Sequence, residues 1–199
     1  MKTLALALLI PVAICTACST KEESVATPTP ASVDAPATAP ATDTAPAAAP
    51  ATAHVSLISA AGSSVKGDLT LTNEGTDVSI RGEVTGLAPG KEHGFHVHEV
   101  GECSLPDFKS AGEHFNPTKD PHGGPQSAAR HLGDIPNVKA DENGRAIVDV
   151  TAKGPTLGDT DAGPAEILGK ALVVHAMPDD YKTQPSGGSG ARIACGVIR

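Results

Sequence analysis

From residue 54 onward, apolar side chains recur at every second position in runs of only a few residues, a period that specifies half-buried strands. The alternation is carried by Val65, Leu69 and Leu71, then by Val78, Ile80 and Val84, by Phe95 and Val97, and by Val148 and Val150. Further apolar runs stand at 54–59, 171–175 and 192–198. Asn73-Glu74-Gly75, Ala88-Pro89-Gly90 and Asn143-Gly144 separate them with residues suited to tight turns. With 21 Gly, 17 Pro, no Trp, one Tyr and three Phe, any core must be built from Val, Ile, Leu and Ala. An all-β fold follows, with about seven or eight strands in an antiparallel sandwich or flattened barrel. Two stretches, 100–136 and 154–169, break the pattern; they are rich in Gly, Pro, Asp and His, and loops so long are uncommon unless functional or pinned.

The N-terminal part of the chain is of another kind. Residues 1–18, MKTLALALLIPVAICTAC, put a Lys before an apolar run too short for a lasting transmembrane helix, which is the pattern of an export signal. Cys18, preceded by Thr16 and Ala17, resembles the lipid-accepting cysteine of bacterial lipoproteins more closely than Cys15, which follows bulky Ile14. A lipid anchor at Cys18 is therefore expected, holding the protein to a membrane of the bacterial cell envelope on its periplasmic side. Simple signal cleavage would instead leave a soluble periplasmic protein. Residues 19–52 are mostly Ala, Pro and Thr, with almost nothing to bury, and are expected to form a disordered tether that rises ~3 Å per residue where it is polyproline-like. One folding domain, 53–199, remains. The formal net charge of −8, without a basic cluster, excludes nucleic acid as a partner.

The chemistry lies in the histidines, of which the chain has eight. His96 and His98 are two apart on a strand, so they share one face while Phe95 and Val97 take the other. Such a pair makes a two-nitrogen claw, although taken alone it also suits a solvated strand face. His114, His122, His131 and Asp134 lie within the first long loop, and three imidazoles with a carboxylate suit zinc. Metal binding would supply the ordering energy that a Gly-rich loop lacks, whereas without it the loop is simply polar and mobile. His175 ends the run 171–174, where a buried hydrogen-bonded histidine is the plain alternative to a ligand. A histidine-only site can hold Cu(II) as well as zinc. Cys103 and Cys195 are the pair left once the leader is removed, and in an oxidising compartment they are expected to form a disulfide.

The strings GFHVHEVG (94–101), AGEHFNP (111–117), HGG (122–124), HLGD (131–134), VVHA (173–176) and GGSGARIACGVI (187–198) occur in an order that resembles the copper–zinc superoxide dismutases, over roughly 54–199. The resemblance implies a Greek-key eight-stranded barrel with the two long loops functional. It also implies dismutation of superoxide to dioxygen and hydrogen peroxide by one copper per subunit cycling between Cu(II) and Cu(I). Copper would be held by His96, His98, His114 and His175; one zinc per subunit would be held by His114, His122, His131 and Asp134, with His114 shared. Arg192 becomes the cation that attracts superoxide, His114 the proton carrier, Cys103–Cys195 the internal disulfide, and Asp179 a carboxylate linking a copper-ligand to a zinc-ligand histidine. The stretch between Cys103 and His114 resembles the bacterial periplasmic branch, so the animal enzymes' dimer contact does not transfer directly, and a homodimer stays open. Lys109 and Lys182 are read either as outer electrostatic guides or as solvated surface lysines, and His54 and His93 match no ligand and are read as bystanders, with metal capture the alternative for His54 beside the tether. A non-catalytic copper or zinc carrier of the same fold is the alternative, against which stand the complete ligand set and Arg192.

Overall fold

The computed structural model describes residues 51–158 and 163–199, so the export signal, Cys18 and nearly all of the tether lie outside the described residues. The alternating runs form the strands β1 (Thr52–Ser59), β2 (Lys66–Glu74), β3 (Asp77–Thr85), β4 (Glu92–His93), β5 (Phe95–His98), β6 (Val138–Lys139), β7 (Ala146–Lys153), β8 (Ala171–His175) and β9 (Arg192–Val197). Seven of these form one curled antiparallel sheet in the order β5-β8-β9-β1-β2-β3-β7, while β4 and β6, of two residues each, pair separately. The seven sheet strands are the expected ones. Neighbours that are not consecutive in sequence, β5 with β8, β9 with β1 and β3 with β7, require the crossing connections of a Greek key.

Burial follows the two-residue period. In β1 the odd positions Ala53, Val55 and Leu57 are buried while Thr52, His54 and Ser56 are exposed. These side chains join Leu69, Leu71, Val78, Ile80, Val84, Phe95, Val97 and Val148 in one core. Each fully buried Val, Leu, Ile or Phe contributes roughly 1.5–3 kcal/mol relative to exposure. By contrast β8 is buried at all of its five residues. One of its faces meets the core through Leu172 and Val174, and the other meets a smaller cluster of Ala60, Phe108, Ala111, Val173 and Cys195. That explains why 171–174 reads as an unbroken apolar run rather than an alternating one.

The two long segments differ in what they do. The outer edge of β5 is occupied by the first: Phe115 N–H donates to Val97 O at 2.8 Å, Val97 N–H donates to Gly133 O at 3.0 Å, and residues 114 and 134 bridge to His98 and His96. Gly133 sits so close that a Cβ there would lie 2.2 Å from Val97 O. The loop is thus stitched onto the strand that carries the His-x-His pair. The second segment, 154–169, expected to be functional or pinned, is pinned: it bonds to Asn73, Asp77 and Ile198 and within itself. The connection that packs on the histidines is instead 176–191, the long loop between the paired strands β8 and β9, through Asp179, Gln184 and Gly190.

Candidate metal centre

The structure gathers the predicted histidines into two adjoining groups. His96, His98, His114 and His175 place one nitrogen each within 4.8 Å of one another, and one nitrogen each of His114, His122 and His131 lies as close together with a carboxylate oxygen of Asp134. All seven residues are buried, from 0% exposure for His96 to 7% for His131. His96 and His98 project from β5, His175 ends β8, and His114 and Asp134 arrive on the loop stitched to β5. A register shift between Val174 and His175 sets Arg192 opposite His175, a use of a bulge to aim side chains at a site.

Hydrogen bonds fix which nitrogen of each ring faces inward. His98 donates from Nδ1 to Gly112 O at 2.9 Å, and His175 donates from Nδ1 to Gly190 O at 3.3 Å. Only an N–H can donate to a carbonyl, so both Nε2 atoms are bare, and they face one another at 3.3 Å. His96 donates from Nε2 to Asp179 Oδ2 at 2.9 Å, leaving Nδ1 buried and unpartnered. His114 places Nδ1 2.8 Å from Asp134 Oδ1 while its Nε2 has no partner. His122 and His131 likewise point unbonded Nδ1 atoms at Asp134, at 3.0 and 3.2 Å. A buried polar atom without a partner costs roughly 1–3 kcal/mol. Several such atoms converging on two points fit two metal ions, which take up these lone pairs.

The electrostatics agree. Burial holds His96 down to about 4, outweighing its bond to Asp179, and burial holds His98 and His175 well below the ordinary range. These rings are neutral near pH 7, the form that binds metal. Burial alone would raise the Asp134 carboxyl, but the imidazoles of His114, His122 and His131 gathered against it and the Gly123 N–H hold it far below the usual carboxylate range. Burial would lower His122, yet Asp134 and Asp179 on its two sides push it up to about 9.

These shifts give the metal-free protein a stability optimum. A ring lowered from 6.5 to about 4 binds a proton more readily when unfolded, so His96 stabilises above pH 6.5 and its contribution is lost as pH falls toward 4. His122 is raised, so its contribution is full below 6.5 and is lost as pH rises toward 9. Metal-free protein is therefore expected to unfold at the highest temperature near pH 6.5, with lower midpoints at pH 4.5 and pH 9. Calorimetry across that range reads it, and a midpoint rising steadily from pH 6.5 to 9 would contradict it.

Around the centre, Asp179 is the expected link, its carboxylate accepting from His96 Nε2 and from His122 Nε2, both at 2.9 Å. Arg192 donates to Phe108 O at 2.7 Å and to Gly112 O at 2.6 Å, sharing the latter carbonyl with His98. Cys103 and Cys195 are disulfide-bonded, 92 positions apart. Lys109 is exposed and pairs its ammonium with Asp107 at 2.6 Å. Lys182 is exposed. His54 lies exposed on β1 beside Thr70. His93 is no bystander: it is 2% exposed and donates from Nδ1 to His175 O at 2.8 Å, buttressing the main chain of a candidate ligand. Nor did the sequence single out Gly112 O, Gln184 or Asn137, whose parts are played by backbone or amide groups that carry no motif.

An all-β barrel carrying two histidine-rich metal groups that share one imidazole defines a class of binuclear metalloprotein. Known proteins show which class. The family described as Copper/zinc superoxide dismutase (SODC) matches residues 65–198. The chain is 45% identical over 150 residues to superoxide dismutase Cu-Zn 2 of Aquifex aeolicus, covering 74% of this chain and 86% of that protein. It is 40% identical over 147 residues to the Cu-Zn superoxide dismutase of Caulobacter vibrioides (72% and 84% covered), and 39% identical over 151 to superoxide dismutase-like protein YojM of Bacillus subtilis (73% and 74%). The crystal structure of the clock protein EA4 is similar at a TM-score of 0.66 and 38% identity, covering 75% of this chain and 94% of that one. The chain belongs to the copper/zinc superoxide dismutase family. Its activity is the oxidoreductase reaction of that family, the dismutation of superoxide with copper and zinc.

Proposed function

We propose that His96, His98, His114 and His175 hold the copper, that His114, His122, His131 and Asp134 hold the zinc, and that Arg192 and His114 serve catalysis. The observation that carries this assignment is the opposed orientation of the two nitrogens of His114. Nδ1 faces Asp134, while Nε2 is unpartnered, and the His114 ring lies against those of His96 and His98, centroid to centroid 3.9 and 5.1 Å. One imidazole is thereby offered to both metals, which is reasonable near neutral pH only between two cations.

Bound copper supplies a one-electron couple that takes an electron from one superoxide and returns it to the next. The chain's residues do the rest. Arg192, held by two carbonyls beside His98, keeps a fixed positive charge where a small anion must arrive on a protein of net charge −8. His114 can carry at Nε2 a proton that peroxide requires. Asp134 and Asp179 hold the histidine rings in one orientation, as carboxylates around metal-bound imidazoles do. Replacing Arg192 with Met is expected to lower kcat/KM roughly 10-fold at low salt and to flatten its fall with ionic strength. Pulse radiolysis at two salt concentrations measures both, and an unchanged salt slope would remove Arg192 from the steering role.

We also infer that the chain is a lipoprotein of the cell envelope, facing the periplasm. Support comes from the apolar leader, the small residues before Cys18, and a Pro-rich stretch long enough to hold the domain off a membrane. Metabolic labelling with a fatty acid should mark the protein and should fail with Cys18→Ser. Equal labelling of both would contradict the anchor.

A further inference from the structure

The segment 176–191 supplies no side chain to either metal group beyond its neighbour His175, yet it grips one zinc-group residue from three directions. We propose that Gln184 is a positioning residue for His122, and that the segment around it is a latch that retains zinc. This rests on the assignment of zinc to His114, His122, His131 and Asp134 made above.

Gln184 Oε1 accepts the main-chain N–H of His122 at 2.9 Å, and Gln184 Nε2 donates to the main-chain carbonyl of the same residue at 2.9 Å. One side-chain amide thus closes both polar groups of a residue 62 positions away. That needs a donor and an acceptor side by side, which an amide has and a carboxylate or methyl lacks. Asp179, from the same segment, takes the ring Nε2 of His122. No side chain could be inserted here, since a Cβ on Gly187 would meet Asp179 Oδ1 at 1.7 Å and His122 Nε2 at 2.8 Å.

The latch is itself anchored. Asn137 accepts Asp179 N–H at 3.0 Å and donates to Asp179 O at 2.9 Å, while its own N–H donates to the Tyr181 hydroxyl at 2.9 Å. His122 has few other supports. His114 and Asp134 are bridged to β5, whereas residues 117–121 ahead of His122 are half-buried or exposed. Without Gln184 the main chain at 122 loses both of its partners, leaving the Gly123 N–H on Asp134 Oδ2 and the ring between Asp134 and Asp179 as its holds. Copper has no comparable dependence, because Gln184 bonds to none of His96, His98, His114 or His175.

The test is metal transfer from fully loaded protein to a chromogenic chelator, read separately for zinc and copper. Gln184→Ala is expected to speed zinc release roughly 10–100-fold, the usual effect of losing a group that supports a ligand, with copper release unchanged. Gln184→Glu keeps the acceptor but sets an oxygen against His122 O, and should release zinc at least as fast as the Ala variant. Asp179→Asn, which loosens His96 as well as His122, should speed the loss of both metals. With cobalt(II) in the zinc position, Gln184→Ala should also shift the visible ligand-field bands. Zinc release at the parent rate in Gln184→Ala, or zinc and copper loss accelerated by the same factor, would overturn the latch. Full zinc content in His122→Ala would instead overturn the zinc assignment beneath it.

Discussion

His114→Ala is expected to lose dismutase activity by at least ~10²–10⁴-fold, the range set by removing a proton-transferring group alone, and to lose zinc at the same time. Both effects follow from one ring serving two groups. Its Nδ1 lies 2.8 Å from Asp134, and its Nε2 is a buried acceptor without a partner among the described residues. Truncation leaves Asp134 with one fewer hydrogen-bonded imidazole and leaves the four-residue copper group one nitrogen short. His131→Ala gives the contrast. It removes one zinc ligand, the most exposed of the seven, and leaves the copper group whole, so more activity should survive. Metal content and activity measured on the same preparations separate the two variants, and a His114→Ala protein with parental turnover would refute the sharing.

The second large effect concerns folding. Cys103→Ser is expected to destabilise the protein by about 4 to 5 kcal/mol, because the bridge joins positions 92 apart and restricts the unfolded chain accordingly. For a domain of this size that lowers the thermal midpoint by roughly 10–15 °C. Activity should suffer as well. Cys195 and Cys103 pack with Phe108 and Ala111, and the carbonyls of Phe108 and Gly112 are the ones that hold Arg192. Phe108 occupies the left-handed region at φ 57° while fully buried, a conformation of order 1–3 kcal/mol that persists only if its surroundings enforce it. Calorimetry together with kcat/KM at 25 °C checks both claims. A midpoint within 3 °C of the parent would show that the disulfide contributes little.

Much of this molecule was legible before its structure. Period-two burial placed the sheet strands, and the seven residues that gather into the two candidate metal groups were readable because metal chemistry demands particular side chains at particular places. Residues that act through the backbone left no such trace. Gly112 matters for its carbonyl, and His93 for reaching the carbonyl of His175. Gln184 works only because the latch brings it across 62 positions. The second functional loop was misplaced for a related reason. Segment 154–169 has the composition of an active-site loop, but its Asn73 and Ile198 contacts give it a structural task, while 176–191 begins immediately after a ligand strand. The pairing of Lys109 with Asp107, two residues before it, was likewise not read from the sequence.

The central claim is that a copper held by four histidines performs the reaction, beside a zinc that shares one of them. Purified protein analysed for both metals and assayed for dismutation, before and after selective copper removal and again after copper is restored, tests it most directly. One copper and one zinc per chain, activity that falls in proportion to copper lost, and recovery on its return are predicted. Full activity in protein stripped of copper would contradict the account.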